Sequence, residues 1–319
     1  MKEPRVCIAL ASYNGAKHIK VQLDSLVRQR YSNFVVVIRD DGSKDNTMEI
    51  VKEYAEKYPD HFKIMLDEGA NLRCPTSFYR ILQQCEESDY YGFCDQDDEW
   101  KPDKIQRAVE QIEKAKSKQT RECYETEGQR EGWLYLCSYD YCTEDGKFIR
   151  QFPKQREPIT LDRIIYHSPG SGFTLLFDET IRRKYICDVF PGQEMHDRYL
   201  IRCAACFENI VYDSKSMASH IRFADSVTAE DSTNSNLLVH FIRDEIMSDT
   251  ATVAKRDVQY FQQLYWQRLN PKDESILQIF VCEHGGVSNW LRKLFYPHRM
   301  RERISGEIAL RILFFIGKI

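Results

Sequence analysis

Apolar positions in the first hundred residues alternate between two periods. Runs at 6–10, 34–38, 62–66 and 90–94 read as strands, and Phe34-Val35-Val36-Val37-Ile38 is a continuous apolar run of the kind buried on both faces. Between them the spacing becomes helical: Leu23, Leu26 and Val27 follow the first run, and Met48, Val51, Tyr54, Ala55 and Tyr58 the second. A third helix opens near Pro75-Thr76, and Pro102 starts a fourth whose inner face is Ile105, Ala108, Val109 and Ile112. Strands alternating with helices predict right-handed crossovers and an α/β fold with a mostly parallel central sheet and flanking helices. Ligands of such sheets bind beyond the carboxyl ends of the strands.

Farther along, 133–139 and 174–177 read as strands, the second entered through the turn Ser168-Pro169-Gly170-Ser171-Gly172-Phe173. Glu194-Met195-His196-Asp197-Arg198-Tyr199 opens a helix with Leu200, Ile201, Ala204 and Ala205 inward, while the Lys/Gln/Glu-rich stretch 114–132 reads as a surface loop. From Asn236 the pattern turns helical: Leu237, Leu238, Phe241, Ile242 and Ile246 begin one helix, Asn270-Pro271 breaks a later one, and 287–295 and 304–319 are apolar with interspersed basic residues. The expected organisation is an α/β domain over 1–235 followed by a C-terminal helical extension over 236–319.

A length of 319 residues with 42% hydrophobic and 29% charged content can bury a large core. The net charge of −4 is uneven: from Trp290 onward seven Lys or Arg against two Glu leave +5, so the remainder carries −9. Such a tail suits an anionic partner, and nothing points to nucleic acid. The eleven cysteines are scattered, with only Cys203-Ala-Ala-Cys206 at metal-like spacing, and read as small buried hydrophobes of a reducing cytosol. No signal peptide precedes the first strand and no apolar run approaches the ~20 residues that cross a bilayer, so the expected location is cytoplasmic.

Polar clusters stand at the predicted strand ends. Cys94-Asp95-Gln96-Asp97-Asp98-Glu99-Trp100 brings three carboxylates within four residues. Carboxylates this close repel and are costly to desolvate, so they either cap a helix as a solvated turn or share a hard divalent cation, Mg²⁺ or Mn²⁺, completed by a phosphate. Asp40-Asp41-Gly42-Ser43 offers an acceptor for the N3-H of a pyrimidine base or a helix cap, and Tyr13 either stacks on the base or packs. Arg73 could neutralise a diphosphate or lie solvated. With no glycine-rich phosphate loop, phosphates must be held by metal and by Arg or Lys.

Three ordered motifs carry a resemblance: Ala11-Ser12-Tyr13-Asn14-Gly15; Asp40-Asp41-Gly42-Ser43 with Asp45 and Thr47; and Asp95-Gln96-Asp97-Asp98-Glu99-Trp100 with Lys104. Together they resemble the front half of a family 2 glycosyltransferase of the GT-A fold, in a form similar to the bacterial rhamnosyltransferase-like subgroup. The resemblance implies a nucleotide-diphospho-sugar donor, dTDP- or UDP-linked, bound by residues 1–115, and an acceptor half over 116–235. Ser12, Tyr13, Asn14, Asp40, Asp41, Asn71, Arg73 and Asp95 would bind the donor, and Asp97, Asp95 and His220 a Mn²⁺ or Mg²⁺ ion. Trp100, Gly170, Ser171, Gly172 and His196 would face the acceptor, with glycine either admitting a sugar or serving a turn. Asp197 would be the catalytic base, held at a helix start by the dipole, with His196 the weaker candidate. One departure is that His220 precedes Arg222, where related proteins have Arg-x-His.

The implied reaction is an inverting transfer, rhamnose favoured, to a saccharide or lipid-linked saccharide of a bacterial surface polysaccharide. A basic amphipathic tail could then rest on the inner face of the plasma membrane or pack on protein. The alternatives are a sugar nucleotidyltransferase, which should show a Gly-rich loop after the first strand, and a non-catalytic sugar or membrane adaptor.

Overall fold

The computed structural model describes residues 3–318 except 68–70, 123–129, 154–157, 190, 191, 193, 223–249, 282–285, 302 and 303. Among them four parallel strands form the first half of the sheet: β1 (Val6–Ser12), β2 (Phe34–Asp40), β3 (Phe62–Ile64) and β4 (Tyr90–Cys94). They are connected through α1 (Ile19–Val27), α2 (Thr47–Lys57) and α3 (Thr76–Gln84). The short β5 (Asp98–Trp100) and α4 (Lys104–Glu122) follow, then β6 (Trp133–Thr143), β7 (Phe148–Phe152), β8 (Leu175–Asp178) and β9 (Asn209–Arg222). The sheet order is β3-β2-β1-β4-β8-β6-β9-β5, with β7 on β6. β8 joins β4 and β6 antiparallel, so the sheet changes direction beside the strand that carries the acidic cluster.

Register explains the site's location. Ser12 pairs with Asp40 and Leu10 with Cys94, so β1, β2 and β4 end together and release their polar loops at one edge. The apolar runs behind them are buried, with Val6, Ile8 and Leu10 fully inaccessible and packed in one cluster with Leu23, Val36, Val51, Ile105 and Ile112. α4 continues to Glu122, well into the stretch read as a loop. Lys, Gln, Glu and Ala are good helix formers, and propensity carries the helix past the end of its apolar stripe.

By internal contacts the chain forms two compact units, Met1–Arg156 with Gly170–Ala229, and Glu157–Pro169 with Glu230–Ile319. In the second, helices Thr250–Tyr265, Pro271–Val281, Gly286–Leu294 and Ile304–Phe315 are present. Asn270 Oδ1 accepts the Asp273 amide at 2.9 Å and Pro271 is the first helical residue, which explains the break between the first two. Tyr166 from the inserted segment packs on Phe280 and Phe314, and Asp162 pairs with His298 at 3.3 Å. The helix expected from Leu237 begins outside the described residues. Among the described residues no helix is long and apolar enough to cross a membrane.

Candidate active site

The first two loops are laced by their own motif residues. Ser12 Oγ donates to Asp40 Oδ1 (2.9 Å), and Asp40 Oδ2 accepts the Gly42 and Ser43 amides at 3.0 and 2.7 Å. Asn14 is held at φ 47°, donating its amide to Ser43 Oγ (2.8 Å) and accepting the Lys44 amide on Oδ1 (2.9 Å). Gln96 closes the site from the third motif, its Oε1 accepting the Tyr13 amide (3.0 Å) and its Nε2 donating to the Tyr13 carbonyl (3.1 Å). A Cβ on Gly15 would stand 2.3 Å from Gln96 Oε1, so that glycine makes room for the clamp. Ser12, Asn14 and Asp40 thus fix the two loops to one another, and the Tyr13 side chain remains 46% exposed.

Asp41 is committed more deeply. Its Oδ1 accepts from Arg39 Nη1 and from the Leu72 amide (3.2 Å), and its Oδ2 accepts the Arg73 amide (2.8 Å). Arg39 is fully buried and also reaches Asp67 (2.6 Å) and Ser77 Oγ (3.1 Å). Asp41 therefore anchors the loop 71–73, whose Arg73 sits at φ 59° with Asn71 and Arg73 themselves exposed.

Asp95 and Asp97 are half-buried, and neither carboxylate has a hydrogen-bond partner among the described residues. Desolvation, reinforced by Asp98 and Asp97 and also by Asp197, pushes the Asp95 carboxyl well above the usual carboxylate range. Asp98 is different. It is fully buried, and its Oδ1 lies 2.7 Å from His220 Nδ1 across the antiparallel β5–β9 pair. Burial opposes charge on His220, but the bond to Asp98 and the fields of Asp98, Asp97 and Asp95 outweigh it and raise its affinity for a proton. The ring is stacked on Phe173 at 5.8 Å.

The expected three-residue metal set is therefore not assembled: among the described residues no three His, Cys, Asp or Glu side chains converge on one metal-sized point. His220 spends Nδ1 on Asp98, which leaves only Nε2 for a metal or phosphate. Two carboxylates without a hydrogen-bond partner, held close enough to repel, still suit a hard cation, which would relieve that repulsion and take its other ligands from water and a diphosphate. Asp97 lines a cleft of about 410 Å³ together with Lys17, His18, Val21, Glu144 and Ile221. A larger cleft of about 620 Å³ opens at the other ends of β1 and β4, beside Arg5 and Tyr90, away from these carboxylates.

Asp197 stands in the first turn of the helix His196–Phe207, with Oδ1 accepting the Arg198 amide at 2.7 Å. Burial raises its carboxyl above the usual range, and its field reaches Asp95. Both fields also reach Cys74, whose thiol is pushed up to about 12 by burial and by Asp95, Asp197 and Asp41. One electrostatic neighbourhood thus holds residues from the ends of β2 and β4, the loop before α3 and this helix.

The expected acceptor residues fare differently. Trp100 is 3% exposed and belongs to the core, with Lys104 Nζ 4.4 Å from its ring centre; strand alternation turns Asp98 and Trp100 inward and Glu99 outward. His196 is buried against Phe78 and Phe93, its Nδ1 3.9 Å from Cys74 Sγ and its Nε2 without a partner. Burial alone depresses its pKa to about 3, so it stays neutral and is a weak base. Gly172 admits this ring rather than a sugar, since a Cβ there would fall 2.0 Å from His196 Nε2. Gly170 is similarly confined by Leu136 and Thr174. Neither glycine has positive φ, and Ser171 Oγ lies 3.1 Å from Tyr139 Oη.

Two predictions follow from His196. Gly172→Ala should destabilise the chain by about 1–3 kcal/mol through overpacking, read as a lowered urea midpoint with unchanged m; a midpoint equal to the parent's would refute the close approach. Because the folded pKa of His196 is depressed, the unfolded chain binds the proton more tightly. Its contribution to stability is complete above about pH 6.5 and is lost as pH falls toward 3. In His196→Gln the acid-side fall in melting temperature between about pH 6.5 and 4.5 should be shallower than in the parent.

Sequence reasoning missed Gln96, Arg39, Lys17 and His18. The first was visible inside a quoted motif, but its partner is backbone; Arg39 sits in a strand and gives no loop signal. The profile of the family described as Glycosyl transferase family 2 matches residues 7–176, a stretch that contains all three motifs. The chain belongs to glycosyltransferase family 2. It is similar to the dTDP-rhamnosyl transferase RfbG of Shigella flexneri, 36% identical over 103 residues, or 32% of this chain and 36% of that protein. It is also similar to the putative teichuronic acid biosynthesis glycosyltransferase TuaG of Bacillus subtilis, 24% identical over 177 residues, covering 55% and 63%. The matches span from about a third to under two thirds of these family 2 relatives' lengths. Among solved structures, S. aureus TarS 1-349 in complex with UDP-GlcNAc superposes with TM-score 0.56 at 16% identity, covering 98% of this chain and 91% of that one. That likeness is one of fold, and it is the GT-A fold.

Proposed function

We propose that the protein is an inverting glycosyltransferase that moves a hexosyl group, rhamnose favoured, from a dTDP- or UDP-sugar to a saccharide or lipid-linked saccharide of a bacterial surface polysaccharide. The observation that carries this reading is the pairing of two unpartnered carboxylates, Asp95 and Asp97, with a desolvated third, Asp197, at one sheet edge. Asp95 and Asp97 would hold Mn²⁺ or Mg²⁺ with the donor diphosphate, and the ion would supply charge stabilisation for the departing nucleoside diphosphate. Tyr13, exposed above the Asp40–Ser43 loop, would cover the base, with Asn71 and Arg73 along its path. Asp197 would accept the proton of the attacking acceptor hydroxyl, its basicity raised by burial.

RfbG carries the dTDP-rhamnosyl transferase name, which supports the donor choice. A lipid-linked acceptor would place the working enzyme at the cytoplasmic face of the plasma membrane. The nucleotidyltransferase reading loses ground because the loop after β1 is clamped by Gln96 and offers no glycine-rich phosphate cradle. The test is release of nucleoside diphosphate from a panel of dTDP- and UDP-sugars with a saccharide acceptor and Mn²⁺. Turnover that disappears on chelation and returns with metal supports the reading; release of pyrophosphate from a sugar phosphate and nucleoside triphosphate would replace it with the nucleotidyltransferase.

A further inference from the structure

The helix Ile304–Phe315 is apolar on both sides. Ala309, Leu310, Leu313 and Phe314 are buried, while Ile304, Ile308, Ile312, Phe315 and Ile316 recur at helical spacing on the exposed side. A helix apolar all round is normally enclosed, yet Ile304 is 68% and Phe315 61% exposed. A second stripe runs along the neighbouring helix Gly286–Leu294 and just beyond it, where Val287, Leu291 and Phe295 are exposed at i, i+4 and i+8. The half-buried Trp290 joins the two, its ring 5.6 Å from Phe315 and its Nε1 donating to the Phe315 carbonyl at 3.2 Å.

The charges around this face have one sign. From residue 286 to 318 the acids are Glu302, outside the described residues, and Glu307, which is buried and bonded to Arg311 and the Met300 amide. Arg311 is spent on the carbonyls of Lys293, Leu294, Tyr296 and His298. Arg292 and Arg299 are exposed.

We infer that these two helices form an interfacial seat for an anionic lipid surface, with the isoleucine and phenylalanine stripes sunk to headgroup depth and the arginines on lipid phosphates. A second copy of the chain is the poorer occupant, because self-pairing of this face would bring like charges together. The inference deepens the reading of a lipid-linked acceptor in the proposed function and uses no residue of the active site.

The test is flotation of the full chain with phosphatidylcholine vesicles and with phosphatidylcholine–phosphatidylglycerol vesicles. Binding is expected to the anionic vesicles only, and to weaken between roughly 0.1 and 1 M salt as the screening length falls from ~10 to ~3 Å. Arg292→Glu with Arg299→Glu, a change at two exposed positions, should lower partitioning at least about tenfold, and Phe315→Asp should abolish it. Equal binding to both vesicle types, or binding to neither, overturns the inference; so does a dimer in sedimentation velocity that Phe315→Asp dissolves. Stabilisation by a pyrimidine nucleoside diphosphate and metal should be unchanged in these variants. Its absence from the parent chain would instead sink the transferase reading and leave the lipid seat standing.

Discussion

Replacing Asp197 by Asn is expected to lower kcat about 10²- to 10⁴-fold while leaving donor binding essentially unchanged. The isostere keeps the first turn of the helix and can still accept the Arg198 amide, so the fold should survive. What it loses is the capacity to take a proton. Asp197 is the carboxylate that combines desolvation with a rigid seat on a helix opening into the neighbourhood of Asp95. Its neighbour His196 is the poorer base, because burial lowers its proton affinity and its ring is turned toward Gly172. The acid limb of kcat/KM should accordingly lie above the usual carboxylate range, since Asp197 must be ionised to act. Steady-state kinetics with the donor varied would measure both quantities. A rise in KM for donor with kcat intact would move Asp197 from base to binding residue.

The second large effect falls on stability. Arg39→Met should cost about 3–5 kcal/mol, because it leaves the buried Asp41 carboxylate without its counter-charge and removes an ion pair to Asp67. The loop 71–73 hangs on Asp41, so the variant should also bind donor nucleotide weakly even where it remains folded. Arg39→Lys should fall between, as an ammonium keeps the charge but cannot fork between two carboxylates and Ser77. Urea unfolding gives the number directly. A loss below about 1 kcal/mol would mean the cluster is solvated rather than buried.

These two residues mark the limits of what the chain discloses. For Asp197 the helix start was legible, since His196-Asp197 opens an apolar-periodic run, while its part as base came from the resemblance alone; the strands were legible because runs such as Phe34-Val35-Val36-Val37-Ile38 have no other economical place than a two-faced sheet. Arg39 was not, since a guanidinium at the end of that run has partners 28 and 38 residues away. The surroundings of the expected acceptor residues were hidden for a related reason. Gly172 signals a close approach, but sequence cannot say to what, and the answer is the His196 ring. Trp100 was expected to face the acceptor, and the pleat of β5 turns its side chain into the core. His220 was assigned to a metal before its strand partner, Asp98, could be seen.

The measurement that tests the central claim most directly is thermal stabilisation by dTDP and UDP, with and without Mn²⁺, in the parent chain and in Asp97→Asn. A nucleotide present at about 100 times its dissociation constant should add ~2.7 kcal/mol, a readily seen shift in melting temperature. The account predicts that one of the two stabilises the parent only when metal is present and fails to stabilise Asp97→Asn. A shift of the same size in Asp97→Asn, or in the parent without metal, would contradict it.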